Sequence, residues 1–183
     1  MKVLIDLTSL ADNFSGIERY AASLAYEMIQ HKEHKFVLLF KREIHKMFDA
    51  VSDMQNVRTV IIPACSKLLF NQWRLPQVIR KIKADWYLFM AFPAPVLLNK
   101  KNMVSTVHDI CCWDCPETMK GLSKWYFRIS DRRALKKSRY IITISEFSKK
   151  RIMERLNYPE KKIILIYSGI SDSFKNTDFC KNT

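Results

Sequence analysis

The chain has 183 residues, 48% of them apolar and 27% charged, with 31 Lys and Arg against 18 Asp and Glu. That length and apolar content allow one domain with a substantial buried core and exclude an intrinsically disordered chain. The formal charge of +13 points to a polyanionic contact, such as nucleic acid, anionic lipid headgroups or phosphorylated substrates, without choosing among them.

Short β-rich runs alternate with helical segments. Lys2–Ser9 reads as a strand, and Ile17–His31 as a helix with Ile17, Tyr20, Leu24 and Met28 at helical spacing. Phe36–Phe40 is a continuous apolar run of the kind buried parallel strands carry. Glu43–Val51 suits a short helix and Val57–Ile62 a strand. Ser66–Lys83 is helical in pattern, with Pro76 expected to kink or split it. Asp85–Met90 is a strand, Phe92–Pro95 a rigid loop and Met103–Val107 a strand leading into His108 and Asp109. Gly121–Lys137 is a helix, Tyr140–Ile144 a strand, Ser145–Asn157 a helix and Ile163–Tyr167 a strand. This alternation predicts an α/β fold: a doubly wound, Rossmann-like parallel sheet of about seven strands with helices on both faces. Ligands of such sheets bind beyond the carboxyl ends of the strands, so the loops there are the candidate site.

The apolar start, Val3–Leu7, is too short for a secretory signal and lacks a cleavage site. The longest apolar stretch, Trp86–Leu98, contains Pro93 and Pro95 and cannot span a bilayer as a helix. A cytoplasmic location is expected. Five cysteines imply no disulfide framework in a reducing compartment. Cys111, Cys112 and Cys115 follow His108 closely, but no second ligand pair accompanies Cys112 and Cys115, so no metal site is expected.

Four features could carry chemistry. The loop from Thr8 ends in Gly16 at the start of a helix, where free N–H groups favour phosphate, and Arg19 could add charge; an ordinary turn capped by Ser15 is the alternative. Neither G-x-G-x-x-G nor a P-loop occurs, which argues against an NAD enzyme or a P-loop NTPase. His108 and Asp109 end a strand and so face the ligand crevice, either as reacting groups or as a pair that fixes the loop. Ser145 and Glu146 follow the next strand, with Ser145 also suited to a helix N-cap; Lys149, Lys150 and Arg151 then crowd the positive end of that helix, which hints at an anionic ligand or surface. Finally, Lys120–Lys162 holds 14 of the basic residues against four acids. Within it, Leu122, Trp125, Tyr126 and Ile129 interleave with Lys124, Arg128, Arg132, Arg133, Lys136 and Lys137. Such a helix can lie on an anionic membrane, or pack its apolar stripe on the sheet.

Together these segments resemble the N-terminal domain of GT-B glycosyltransferases of the large retaining family 4. The likeness runs from Met1 to about Phe174. It rests on Ser15–Tyr20, on Val107–Asp109, and on Ser138–Ser148 continuing through Pro159–Ile163 to Ser168–Ile170. The last triplet departs from the family's more usual Asn-Gly-Val. The resemblance implies that Gly16 approaches the donor diphosphate with Arg19 nearby, and that His108 contacts the donor sugar. It implies that Asp109, Ser145 and Glu146 line the cleft. It further implies a nucleotide-diphosphate sugar (UDP or GDP) as co-substrate, no cofactor, and a glycan or glycolipid acceptor bound mainly in this half. Relatives that use lipid-linked acceptors at the membrane suit the basic surface found here.

The family's E-x7-E motif belongs to a second Rossmann domain, which this chain lacks. Residues 1–174 therefore read as the acceptor-side domain and 175–183 as a tail or the start of an interdomain linker. The expectation is a glycosyltransferase half for cell-envelope polysaccharide synthesis, inactive alone and peripheral on the inner face of the plasma membrane. The alternatives are a non-catalytic acceptor-binding or membrane-anchoring subunit of a split enzyme and, less favoured, a nucleic-acid-binding α/β domain. No nucleic-acid module is recognisable, so no nucleic-acid partner is expected.

Overall fold

The computed structural model describes residues 1–11, 15–66, 69–119 and 121–169. The middle of the first loop, Ile170 and the expected tail Lys175–Thr183 lie outside these. Seven strands form one all-parallel sheet: β1 (Lys2–Asp6), β2 (Lys35–Lys41), β3 (Val57–Ile62), β4 (Trp86–Phe89), β5 (Met103–Thr106), β6 (Tyr140–Thr143) and β7 (Ile163–Leu165). Their order is β3-β2-β1-β4-β5-β6-β7. The order reverses between β1 and β4, where Val3 pairs with Trp86 and Asp6 with Phe89. That reversal opens a crevice beyond the carboxyl ends of these two strands.

Side chains alternate across each strand, so β1 feeds two cores. Val3, Ile5 and Leu7 pack with Phe36, Leu38 and Phe40 against Ala21, Ala22, Ala25 and Ile29 of α1 (Gly16–Ile29). Leu4, Val37 and Leu39 pack on the opposite face against Leu75 and Ile79 of α2 (Leu75–Lys81). Strands buried on both sides must be apolar throughout, which is why Phe36–Phe40 carries no alternation. A third cluster joins Ile141 and Ile163 to Leu135 of α4 (Gly121–Lys137) and Ile152 of α5 (Glu146–Leu156).

Three segments differ from expectation. Glu43–Val51 was expected to form a short helix; the chain instead makes a 3-10 helix over Lys46–Asp53, started by the His45 ring, which accepts from the Met47 N–H. Pro76 does not break its helix. A π turn over Phe70–Arg74 precedes α2, and Leu75 N–H donates to Phe70 O, so Pro76 falls in the first turn of α2, where its missing N–H costs nothing. The loop after His108 contains a helical turn, α3 (Cys111–Asp114), too short to leave a periodic signal.

The apolar stripe of α4 divides. Phe127, Ser130, Asp131, Ala134 and Leu135 turn inward, wholly or in part, whereas Leu122 is 90% exposed, Trp125 64% and Ile129 also faces out.

Candidate functional site

The crevice is built from three strand ends. At β1, the Asp6 carboxylate accepts from the backbone N–H (3.0 Å) and the hydroxyl (2.7 Å) of Thr8, fixing the turn Leu7–Ser9. Crowding by protein raises the Asp6 pKa above the ordinary carboxylate range, against the opposing Thr8 hydrogen bonds. The entry to α1 is closed by a capping box: Ser15 Oγ accepts from Glu18 N–H, and Glu18 accepts from Ser15 N–H at 2.8 Å. Gly16 has a negative φ, and a Cβ there would meet nothing within 4 Å, so the glycine serves no backbone need and leaves open space at the helix N-terminus. Arg19 is exposed.

At β5, His108 is half-buried. Its Nε2 lies 2.9 Å from Met90 O and its ring meets Tyr20 edge-on at 4.9 Å. A carbonyl can only accept, so Nε2 carries the proton and Nδ1 remains an acceptor in the neutral ring. Burial lowers the His108 pKa, outweighing the Met90 carbonyl and the Asp109 charge that favour the imidazolium. His108 is thus a neutral hydrogen-bonding group at pH 7. Ser148 Oγ donates to His108 O at 2.9 Å and Ser145 Oγ caps α5 by accepting from Ser148 N–H, so α5 anchors the histidine's backbone. Asp109 Oδ1 accepts from Cys111 N–H at 2.8 Å and starts the turn of α3.

His108 and Asp109 line a cleft of about 190 Å³ with Ile17, Phe92, Phe127 and Asp131. A neighbouring cleft of about 380 Å³, reached past Ala91, Phe92 and Pro93, is lined by Asp6, Glu18, Lys41, Tyr126 and Ser130 among others. The Asp131 carboxylate accepts from the Cys112 thiol at 3.2 Å. Desolvation pushes Asp131 up to about 6, the thiol opposing and Asp109 reinforcing this, while Cys112 is pushed up to about 12 by burial and by Asp131. Both groups are neutral over much of the acidic range, which makes an unpaired acid tolerable in this wall. The loop is tied down from outside: Arg151 and Arg155 of α5 reach Asp114, and the Arg128 and Arg132 guanidinia lie 4.9 and 4.5 Å over the Trp113 ring.

The structure therefore brings His108 and Asp109 together in one cleft, whose walls hold neither Ser145 nor Glu146. Ser145 works through Ser148, and Glu146 is exposed at the start of α5. Three expected surface cations have structural partners instead. Lys149 pairs with Glu160 at 2.7 Å and Arg151 with Asp114 and Glu154, and Lys150 stands 3.9 Å from Glu154. These acids offset the unfavourable placement of the cations at the positive end of the helix dipole, a structural alternative to an anionic ligand or surface. In α4, Arg128 donates to Cys112 O and Lys137 to Leu98 O at 2.7 Å, and Lys124 is half-buried; Arg132, Arg133 and Lys136 remain exposed. Ser130 and Asp131 escaped the sequence reading. The available signal was that Asp131 is the sole acid between Glu117 and Glu146 and sits four residues after Phe127 on the inward stripe. Among the described residues no three His, Cys, Asp or Glu side chains could hold a metal ion, and no helix is long and apolar enough to cross a membrane.

Comparison with known proteins accords with this architecture. The chain is 25% identical over 189 residues to O-antigen chain mannosyltransferase B of Escherichia coli, covering 95% of the chain and 49% of that protein. Anabaena HepE, solved in complex with UDP and glucose, superposes with a TM-score of 0.59 at 13% identity over 93% of this chain and 45% of HepE. A glycosyltransferase from Rickettsia africae gives 0.50 at 16% identity, over 96% of this chain and 45% of that one. The chain thus spans about half the length of these relatives. Glycosyltransferase Family 4 matches residues 14–174, and the chain belongs to that family.

Proposed function

We propose that this chain is the acceptor-side half of a glycosyltransferase that moves a sugar from a nucleotide-diphosphate donor to a glycan or lipid-linked acceptor, with retention of configuration, in cell-envelope polysaccharide synthesis. The observation that carries the reading is the meeting of the α1 N-terminus, the Ala91–Pro93 loop and neutral His108 around one crevice at the strand-order reversal. The Gly16 end of α1 offers backbone N–H groups and open space to a diphosphate. His108 Nδ1 accepts from a sugar hydroxyl. A crevice walled on one side only leaves water in contact with the reacting centre, so turnover requires a second, donor-binding domain to close it.

The test is donor hydrolysis and transfer with a panel of UDP- and GDP-sugars, by this chain alone and by the chain joined to a donor-binding Rossmann domain. Activity in the joined protein only is the expected result. Substantial turnover by the 183 residues alone overturns the two-domain reading.

Exposed apolar groups favour a second element of the proposal, attachment to the inner face of the plasma membrane. Leu122, Trp125 and Ile129 stand out from α4, and Leu69 and the 62% exposed Trp73 stand out from the segment that Gln72 ties to Tyr126 of α4 at 3.0 Å. Arg132, Arg133 and Lys136 are the exposed cations on the same helix, so the occupant that fits is an anionic bilayer. Sedimentation with phosphatidylglycerol vesicles, abolished by high salt and by Leu122→Ser with Trp125→Ser, is expected. Equal binding to uncharged phosphatidylcholine, or none to either, refutes it.

A further inference from the structure

α4 carries two consecutive polar side chains on its inward face, where a helix packed on a sheet would ordinarily be apolar. Ser130 is 3% exposed and Asp131 6%. Ser130 Oγ has no hydrogen-bond partner among the described residues and lines the larger cleft beside Phe92 and Phe127. Asp131 lines the smaller cleft beside His108, with the same Phe92 and Phe127 between them. Its single side-chain partner among the described residues is the Cys112 thiol, which occupies one carboxyl oxygen, Oδ2. A buried hydroxyl with no partner and a carboxyl in a cleft without a counter-cation both carry a desolvation cost that packing does not explain. Groups of this kind concentrate where a ligand completes their hydrogen bonds.

We propose that Ser130 and Asp131 recognise the hydroxyl groups of an uncharged sugar ring held against Phe92 and Phe127. The inference rests on reading the crevice as the site of sugar transfer and names two residues and a ligand class for it. The chemistry selects the class. Aromatic faces cover the apolar C–H surface of a sugar, while a carboxyl and a hydroxyl match its alternating O–H groups. Among the described residues no cation lines the smaller cleft, where Asp109 and Asp131 both stand, so this wall disfavours a phosphate. Phosphate groups then belong to the α1 end of the crevice, and the neutral ring to the α4 end.

The test uses the chain itself, with methyl mannoside and methyl glucoside as probes, by saturation-transfer NMR. Wild type is expected to bind at least one glycoside in the millimolar range and to retain it in the presence of inorganic phosphate. Ser130→Ala and Asp131→Asn are each expected to weaken binding about tenfold, the equivalent of about 1.4 kcal/mol. Ser130→Ala keeps the melting temperature, because its hydroxyl has no protein partner to lose, so lost binding cannot be ascribed to unfolding. Absence of glycoside binding by the wild type, unchanged binding by both variants, or displacement by phosphate overturns the proposal. Binding that depends on both residues in a chain that supports no transfer when joined to a donor domain retains this site and refutes only the transferase reading.

Discussion

Replacing Asp131 by Asn should flatten the acid side of the stability profile. The folded-state pKa is raised, from an ordinary 3.8 to about 6. The contribution of such a group is fully present below pH 4 and is lost as pH rises toward 6, because the unfolded chain releases the proton first. At 1.36 kcal/mol per pH unit the loss comes to about 3 kcal/mol by pH 7. For a chain of this size that corresponds to about 6–12 °C in melting temperature. The groups facing Asp131 are Cys112, His108 and Asp109. Cys112 titrates far above the window, and His108, whose pKa burial lowers, is present in both proteins and cancels. Asp6 has a raised pKa too, but it is present in both proteins and cancels. The measurement is urea unfolding of wild type and Asp131→Asn at pH 4 and pH 7. Wild type should lose about 2.4 kcal/mol more than the variant across that interval, since at pH 4 the unfolded carboxyl is already partly ionised. Parallel profiles would mean that Asp131 is ionised and solvated in the folded chain, and the cost assigned to it would be wrong. If the sugar site is real, the same substitution stabilises the fold at pH 7 and weakens the ligand, the trade-off expected of a functional acid.

Other perturbations probe separate parts. Arg42 has φ 71° in a tight turn closed by Glu43 N–H to Lys41 O at 3.0 Å; Arg42→Gly should stabilise by about 0.5–1 kcal/mol in thermal unfolding, since only glycine is unstrained there. Ser15→Ala removes one side of the α1 capping box and should cost about 1 kcal/mol in the same assay. Arg151→Met with Arg155→Met releases Asp114 from α5; amide exchange should rise over Cys111–Asp114 while Val3–Ile5 stays protected, and uniform protection would refute the anchoring role. His108→Phe, in the chain joined to a donor domain, should lower transfer at least tenfold while costing only about 1–2 kcal/mol in unfolding through the lost bond to Met90 O, because the ring packs similarly on Tyr20 but offers no nitrogen.

The sheet was legible because buried parallel strands write themselves as apolar runs, as at Phe36–Phe40; the edge strand Val57–Ile62 and the helix Gly121–Lys137 also fall where the sequence puts them. Strand ends at β1, β5 and β7 were read one to three residues long, since the apolar run outlasts the pairing: Leu7 and Val107 continue into buried loops, Ile166 and Tyr167 into an exposed one. His108 and Asp109 could be found from their place after a strand. Ser130 and Asp131 left only the faint signal of a lone acid on the inward stripe, because in one dimension they sit among Arg128, Arg132 and Arg133, and only the rotation of α4 separates inner from outer positions. The ion pairs of α5 escaped for the same reason. Arg151 meets Asp114 across 37 residues, a pairing that no local pattern reports.

The π turn at Phe70–Arg74 amounts to one residue more than a regular helix needs. A single residue rotates everything before it by about 100° about the helix axis. That added rotation goes with an inward Gln72, which bridges Tyr126 and the Val96 N–H, and with outward Leu69 and Trp73. A one-residue deletion there would trade places between the bridge and the outward aromatic, joining the seam of the molecule to its surface character. Length changes in this short stretch would thus reach two places at once: the side chains that face outward and, through the Gln72 bridge to Tyr126, the wall of the larger cleft.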